Sequence, residues 1–193
     1  MNIQTCVIDN FYSNPDKVRE FALQQDFQTI GNFPGKRTAN FVNESTKQTI
    51  QNIIKPVAGD IIDWETSQYN GCFQLALAAD RSWIHCDATA TWAGVLFLTP
   101  DAPLSAGTAI YKHKETDLMS WKYHEHTETE NQTALPLLET QDFTKWDMVD
   151  YYANIYNRLI LYRGEYFHCS LDYFGTTKEN GRLFQTFFFD TEF

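Results

Sequence analysis

Residues 82–98 read SWIHCDATATWAGVLFL and place a histidine and an aspartate two positions apart, directly before a long apolar run. In an extended strand, residues i and i+2 point to the same side. His85 and Asp87 would then face the protein interior together, while Cys86 faces away. The same spacing recurs in two other pairs, His113 with Glu115 and His126 with Glu128. Spacing alone therefore leaves a second interpretation open, a His–Asp hydrogen bond on a strand surface.

The composition indicates a single globular domain with a large aromatic core. The chain has 193 residues, which suffice for such a core, and contains 15 Phe, 10 Tyr and 5 Trp. Aromatic side chains are typical of strand faces, so an α+β or all-β domain is expected. The formal charge of −10 disfavours a nucleic-acid backbone as the main partner, because phosphate binding needs a basic surface.

Nothing in the sequence predicts a membrane span or a secretory signal. There is no run of about 18 apolar residues, and the start of the chain lacks a basic region followed by an apolar stretch. The cysteines are scattered and never form a C-x-x-C pattern; they are Cys6, Cys72, Cys86 and Cys169. This pattern predicts reduced thiols in a cytoplasmic protein. The sequence indicates no particular oligomeric state.

Two helices are predicted in the N-terminal part of the chain. Asn14 is a suitable N-cap, and Pro15 suits the first helical position. A second helix is expected to begin after Ser45, and Pro56 and Gly59 are expected to end it.

From residue 60 onward the pattern changes to short apolar runs separated by turn signals. These runs predict five strands: GCFQLALAA (71–79), TWAGVLFLT (91–99), GTAIYKH (107–113), NRLILYR (157–163) and RLFQTFFFD (182–190). The stretch of about 115–150 is polar, and a long insertion of this kind within a β domain is typically a functional loop or lid. The prediction is an α+β, mainly β domain whose β part is a sandwich or barrel.

A third candidate metal ligand, His168, ends an apolar strand near the end of the chain. Two histidines and one carboxylate on neighbouring strands would form the facial triad of non-haem Fe(II) oxygenases. Arg182 opens the final strand and, if it points inward, could bind a carboxylate with two parallel hydrogen bonds. A protein carboxylate is the alternative partner for such a buried arginine.

These residues, in the order His85-x-Asp87, His168, Arg182, resemble the iron- and 2-oxoglutarate-dependent oxygenases. The resemblance runs from about residue 69 to 190. The N-terminal VIDNFYSNPDKVREFALQQDF with FPGKRT resembles the leader of a prolyl-hydroxylase-like bacterial and phage branch. One departure is that Arg182 lies 14 residues after His168, because the hairpin between them is long. Lys178 is therefore an alternative partner for the cosubstrate.

The resemblance implies one domain over residues 1–193. It would consist of a helical leader (about 1–60) packed on a double-stranded β-helix, or jelly-roll, core (about 69–190) with a lid-like insertion (about 115–150). His85, Asp87 and His168 would hold Fe(II), and Arg182 would bind the distal carboxylate of 2-oxoglutarate. Further candidates for cosubstrate contact are Tyr69, Gln74, Tyr111 and Thr186. The implied activity is hydroxylation with O2 of a peptide side chain, an amino acid or a small metabolite, a reaction of EC 1.14.11 type.

Three alternatives stay open at this level. A cupin-type metal-dependent jelly-roll enzyme would use Arg182 for its substrate. A non-catalytic module of the same fold would bind a small acid. A zinc site is the third alternative, formed by His113, His124 and His126, although no apolar strand fixes the last two.

Overall fold

Two helices lie in the N-terminal part of the computed structural model, which describes residues 4–31, 33–65, 67–87, 89–122 and 139–192. The first, α1, spans Pro15–Gln24. The Asn14 side chain accepts a hydrogen bond from the Lys17 amide at 3.1 Å. This contact satisfies one of the free amides of the first turn and confirms the predicted cap.

The second helix, α2, spans Glu44–Ala58 and begins earlier than predicted. Its N-cap is Asn43, whose side chain accepts a hydrogen bond from the Thr46 amide at 2.9 Å. The helix also continues through Pro56, which removes only one hydrogen bond near its end. The predicted end at Gly59 is confirmed, since this residue has φ of 80° and caps the helix.

The described residues also form ten strands. They are β1 (Thr5–Ile8), β2 (Lys36–Asn40), β3 (Asp60–Asp63), β4 (Cys72–Ala76), β5 (Trp92–Phe97), β6 (Thr108–His113), β7 (Trp146–Tyr152), β8 (Leu159–Arg163), β9 (His168–Ser170) and β10 (Arg182–Glu192). The five strands predicted from apolar runs correspond to β4, β5, β6, β8 and β10. The sequence patterns did not predict β1, β2, β3 and β7.

The strands form two antiparallel sheets. The larger sheet has the order β1-β8-β5-β10-β4-β2, with β3 paired to the far end of β10. The smaller sheet has the order β7-β6-β9. An isolated bridge between His85 and His168 adds one more extended segment beside β9. The protein is thus mainly β with two helices, as the composition predicted.

Three apolar clusters fix how these layers pack. One joins the helices to the outer face of the larger sheet and includes Ile50, Ile54 and Phe187. A second lies between the two sheets and includes Ile110 and Tyr162. The third covers the outer face of the smaller sheet. Alternation along each strand sends successive side chains into different clusters, so the position of a residue in its strand decides what it contacts.

The segment expected to be a lid is only partly covered by the described residues, since residues 123–138 lie outside them. Trp121 is buried against the smaller sheet, and its amide donates to Glu165 O at 2.8 Å. The last part of the segment is strand β7, which pairs with β6. None of the described helices is both long and apolar enough to cross a bilayer.

Candidate metal centre

Three candidate metal ligands meet beside strand β9. His168 begins this strand rather than ending one, as the sequence had predicted, and His85 lies opposite it in the isolated bridge. The His85 amide donates to His168 O at 3.0 Å, and the His168 amide donates to His85 O at 2.8 Å. This reciprocal pair of backbone hydrogen bonds fixes the two histidines beside each other, with ring centroids 4.2 Å apart.

Asp87 completes the cluster from the same segment as His85. Its amide donates to Gly164 O at 2.7 Å, and its Oδ2 lies 3.1 Å from His168 Nε2. One ligand atom from each of His85, Asp87 and His168 lies within 4.8 Å of the others. The structure therefore brings together the three residues that the sequence predicted as metal ligands, close enough for all three to bind one metal ion.

Backbone carbonyls orient both imidazole rings. His85 Nδ1 lies 3.0 Å from Trp83 O, and His168 Nδ1 lies 2.8 Å from Tyr166 O. A carbonyl oxygen only accepts, so each Nδ1 carries a proton and each Nε2 is left to bind a metal. At His168 this Nε2 faces the Asp87 carboxylate. A metal cation placed between these two acceptors would bind both of them.

The protonation states around the cluster suit a cation. Burial, with His168 close by, lowers the pKa of His85 to about 3, so this ring is neutral near pH 7. Burial alone would raise the pKa of Asp87, but the charge and hydrogen bond of His168 outweigh it and lower that pKa. A neutral imidazole and an ionised carboxylate are the forms that bind metals.

The three residues line a cavity of about 360 Å³ between the sheets. Three of the predicted cosubstrate contacts, Tyr69, Gln74 and Thr186, also line it. The Gln74 side chain donates to Pro34 O at 2.7 Å, and the Thr186 hydroxyl donates to Tyr69 O at 2.8 Å. These donors hold the cavity wall together.

The fourth predicted contact, Tyr111, does not line this cavity. Its neighbour Ile110 faces the space between the sheets. Strand alternation therefore turns Tyr111 to the outer face of the smaller sheet, where its ring lies 5.8 Å from that of Phe143. The expectation that Tyr111 faces the pocket is wrong for this reason.

Arg182 lies fully buried one side chain away from the cavity. Its Nε donates to Ala106 O at 3.0 Å, and its Nη2 donates to Gly107 O at 3.1 Å. Nη1 has no hydrogen-bond partner among the described residues. The guanidinium carbon lies 4.5 Å and 5.7 Å from the ring centroids of Phe184 and Tyr173, which do line the cavity. The two N–H donors of Nη1 are thus left for a group that enters between these rings.

The described residues give less support to a protein carboxylate as the partner of Arg182, to Lys178 as the cosubstrate partner and to the rival zinc site. Within the described part of the chain, no carboxylate forms an ion pair with Arg182. Lys178, the alternative cosubstrate partner, donates to Gln25 O at 2.8 Å and does not line the cavity. His113, of the rival zinc site, is buried with Nδ1 2.9 Å from the Thr116 hydroxyl. Its supposed partners His124 and His126 lie outside the described residues.

Three further cavity residues were missed in the sequence. The Phe33 ring lies on the His85 ring, with centroids 3.6 Å apart, and the Tyr162 ring lies 4.7 Å from that of His168. Arg37 lines the same cavity. The inward parity of NRLILYR could have indicated Tyr162. Residues 33–38, FPGKRT, resemble an exposed turn, and their burial depends on distant strands.

Gly164 determines where the segment with Asp87 can lie. A Cβ atom at this position would lie 2.3 Å from Ala90 O and 2.6 Å from Asp87 O. Gly164→Ala is therefore expected to displace Asp87 and to weaken metal binding by about 10–100-fold, the range for groups that orient ligands. An anaerobic Fe(II) titration checks this, with circular dichroism to verify the fold.

A matched control is Gly181→Ala, where the added Cβ atom would meet first the end of the Leu77 side chain, which can move. Its metal affinity should equal that of the unmodified protein. Equal affinity in the Gly164→Ala protein would contradict the role assigned to this glycine.

The sequence of residues 2–189 matches a family of unknown function, DUF6445. The chain belongs to this family. No curated protein matches the sequence.

The fold of this chain is similar to those of several solved structures. HygX from Streptomyces hygroscopicus, with nickel, 2-oxoglutarate and hygromycin B bound, is similar with a TM-score of 0.58 and 12% identity, over 98% of this chain and 84% of HygX. A prolyl hydroxylase from Trichoplax adhaerens, in complex with a hypoxia inducible factor peptide, has a TM-score of 0.51 and 12% identity, over 96% and 83%. The chain shares its fold with 2-oxoglutarate/Fe(II)-dependent oxygenases, which confirms the resemblance at this level.

Proposed function

We propose that the protein is a non-haem iron oxygenase that couples oxidative decarboxylation of 2-oxoglutarate to hydroxylation of a substrate. The observation that carries this proposal is the convergence of His85, Asp87 and His168 at a cavity, with their ligand atoms within 4.8 Å of one another. Two imidazoles and one carboxylate are the ligand set of the 2-His-1-carboxylate iron sites, which leave three coordination positions open.

The strand order supports a double-stranded β-helix core over about 69–190 in a single domain with a helical leader. From β4 onward the chain passes back and forth between the sheets, with β6 and β7 consecutive in the smaller one. Strands β4, β5, β8 and β10 lie in the larger sheet, and the His85 segment, β6, β7 and β9 lie in or beside the smaller one. In this arrangement the His85 segment and β9 are neighbours, so the metal ligands come from adjacent strands. The segment of about 115–150 remains proposed as the lid.

The residues present fit both iron and 2-oxoglutarate. The Nε2 atoms of His85 and His168 and the carboxylate of Asp87 would hold the metal. The Nη1 group of Arg182, which has no hydrogen-bond partner in the described part of the chain, is the donor that a buried carboxylate would satisfy. Tyr162 lies between the metal ligands and Arg182. Its ring centroid is 4.7 Å from that of His168, and burial raises the pKa of its hydroxyl, while the nearby Arg182 guanidinium partly opposes this rise.

Bound iron and 2-oxoglutarate would supply the chemistry, in which O2 is consumed, the cosubstrate becomes succinate and CO2, and one oxygen atom enters a C–H bond of the substrate. The chain supplies position and environment. Trp83 and Tyr166 carbonyls aim the two imidazoles, and Asp87 contributes the negative charge that a divalent cation requires. The rings of Phe33 and Phe184 line the cavity with apolar surface and limit the entry of water.

The similar structures support a substrate that is either a small molecule or a peptide. HygX is described with hygromycin B and the Trichoplax adhaerens enzyme with a peptide fragment. HygX is also described with nickel and 2-oxoglutarate, and we extend to this chain only a metal and 2-oxoglutarate beside a bound substrate. We also propose a cytoplasmic location, in keeping with four cysteines that are all free.

Anaerobic addition of Fe(II) and 2-oxoglutarate is expected to produce a weak visible charge-transfer band, because the cosubstrate binds the metal directly. Admission of air should then convert 2-oxoglutarate to succinate. Absorption spectroscopy and quantification of succinate check the two steps, and Zn(II) in place of Fe(II) is the control that should give neither signal.

The outcomes separate the alternatives. A band without succinate in air would favour the non-catalytic acid-binding module. Metal binding without a band would favour the cupin-type enzyme and contradict the proposal.

A further inference from the structure

A second buried arginine, Arg37, lines the cavity that contains the metal ligands. Its side chain extends from strand β2, and the residue is only 4% exposed. Nη1 donates one long hydrogen bond to Phe33 O at 3.3 Å, and the guanidinium carbon lies 4.9 Å from the centre of the Tyr69 ring. Among the described residues, no carboxylate forms an ion pair with Arg37.

Within the residues that the structure describes, this arrangement leaves the buried Arg37 charge without a paired carboxylate, although the Asp87 charge is close enough to act on it. Burial lowers the pKa of Arg37, but a guanidinium stays protonated in proteins. Burial of an unpaired charge is costly, and one carbonyl and one aromatic ring offset only part of that cost. The Asp87 carboxylate is engaged with His168. Since the described residues offer the Arg37 guanidinium only the Phe33 carbonyl, its remaining N–H groups are placed to bind an anion that enters the cavity.

Arg37 and Arg182 serve different parts of the cavity. Arg37 is opposite Gln74 in the β2–β4 pair, whereas Arg182 is opposite Ala76 in the β10–β4 pair, so the two arginines lie on strands that flank β4 on opposite sides. Arg182 is enclosed behind Tyr173 and Phe184, which suits an anion held deep in the core. Arg37 lines the cavity itself and suits a second anion.

Phe33 places the Arg37 position next to the metal ligands. Its carbonyl accepts the hydrogen bond from Arg37, and its ring lies on the ring of His85, with centroids 3.6 Å apart. An anion bound by Arg37 is therefore held about one side chain away from a metal ligand. That is where the substrate of an oxygenase must lie, since the bond to be oxidised has to face the metal.

We propose that Arg37 binds a carboxylate of the substrate, which is a small carboxylic acid of about amino-acid size; this rests on the function proposed above. The planar guanidinium fork matches a carboxylate with two parallel hydrogen bonds, and a single arginine balances a single negative charge. The cavity of about 360 Å³ is at the small end of ligand sites and must also accept the cosubstrate. This volume favours a small acid as the part of the substrate that enters the cavity.

The proposal can be tested by NMR of the full chain labelled with ¹⁵N-arginine and loaded with Zn(II), which is diamagnetic, and 2-oxoglutarate. Variants Arg37→Gln and Arg182→Gln assign the two Nε–Hε resonances. The probes are free amino acids, each paired with its α-carboxamide. We expect 2-oxoglutarate to shift the Arg182 resonance, and at least one amino acid to shift the Arg37 resonance while its amide does not.

Affinities of the responding amino acid provide the second measurement. Arg37→Gln should weaken its binding at least tenfold, Arg37→Lys should lie between, and Arg81→Gln should have no effect, because Arg81 is exposed in a turn and bonds only backbone carbonyls there. Arg37→Met should melt at the same temperature as the unmodified protein or higher, since it loses no ion pair.

Several results would overturn the proposal. The proposal is wrong if the Arg37 resonance shifts only with 2-oxoglutarate, if it shifts equally with an amino acid and its amide, or if no probe shifts it. Strong destabilisation of Arg37→Met would indicate a structural role instead. Failure of the proposed function has a different readout. In that case 2-oxoglutarate does not shift the Arg182 resonance, and the Fe(II) sample with 2-oxoglutarate shows no charge-transfer band. In that case an amino acid could still shift the Arg37 resonance.

Discussion

His168→Ala is expected to lower Fe(II) affinity by more than about 100-fold, since even groups that only orient ligands contribute about 10–100-fold. His168 supplies one of three ligand atoms and is also the neighbour that pairs with Asp87. The protein should stay folded, because the backbone hydrogen bonds between positions 85 and 168 do not need the side chain. Anaerobic Fe(II) titration and thermal melting of the same sample measure both quantities.

His85→Ala should behave in the same way, and the double substitution His124→Ala with His126→Ala is the matched control. The double variant also removes imidazoles, but His124 and His126 belong to the polar segment of the sequence rather than to the chain beside β9. The double variant should therefore retain full Fe(II) affinity. Loss of the metal there, with retention in His168→Ala, would move the site to the rival histidines and refute the triad.

The sequence predicted the elements whose side chains are buried in a regular pattern. Strands β4, β5, β8 and β10 are almost entirely buried, so their apolar runs were visible. Strand β7 has five exposed residues in succession, and β2 reads KRTAN. Such strands lie at sheet edges and are held by hydrogen bonds to a distant partner, which no local pattern reveals.

Helix α2 illustrates the same limit. Pro56 predicted an end that the structure does not have. The Gln51 side chain donates to Gly59 O at 3.1 Å and accepts from the Ile61 amide at 2.6 Å. This bridge secures the C-terminal turn and the start of β3 together, so a contact across ten positions stabilises the turn that contains the proline.

The part of the candidate site that could be predicted from the sequence is the set of metal ligands, because histidine and aspartate are residue types that bind metals. Histidine and aspartate at His85-x-Asp87 and a later histidine are a recognisable ligand set, and the structure brings them together. Arg37 gave no such signal, because an arginine in a polar stretch is usually exposed. Only the pairing of β2 with β4 carries it into the cavity.

Arg182→Ala is expected to weaken 2-oxoglutarate binding by about one to four orders of magnitude, since removal of one partner from a buried charged pair costs ~2–5 kcal/mol. Fe(II) binding should survive, because the guanidinium is no ligand. Arg182→Lys should lie between, since lysine keeps the charge but loses the planar fork. Titration of the charge-transfer band with 2-oxoglutarate gives these affinities.

Stability alone does not identify the role of Arg182. Its truncation also removes the hydrogen bonds to Ala106 O and Gly107 O, so the melting temperature should fall even if no cosubstrate binds there.

The decisive quantity is the rise in melting temperature that Fe(II) and 2-oxoglutarate give together relative to Fe(II) alone. A ligand that binds the folded state raises this temperature by an amount that grows with the logarithm of its affinity. The rise should vanish in Arg182→Ala and persist in Lys178→Ala, whose amine bonds Gln25 O away from the cavity. A destabilised Arg182→Ala protein with an undiminished rise would remove the cosubstrate from this arginine, and with it the main reason to place 2-oxoglutarate between the two sheets.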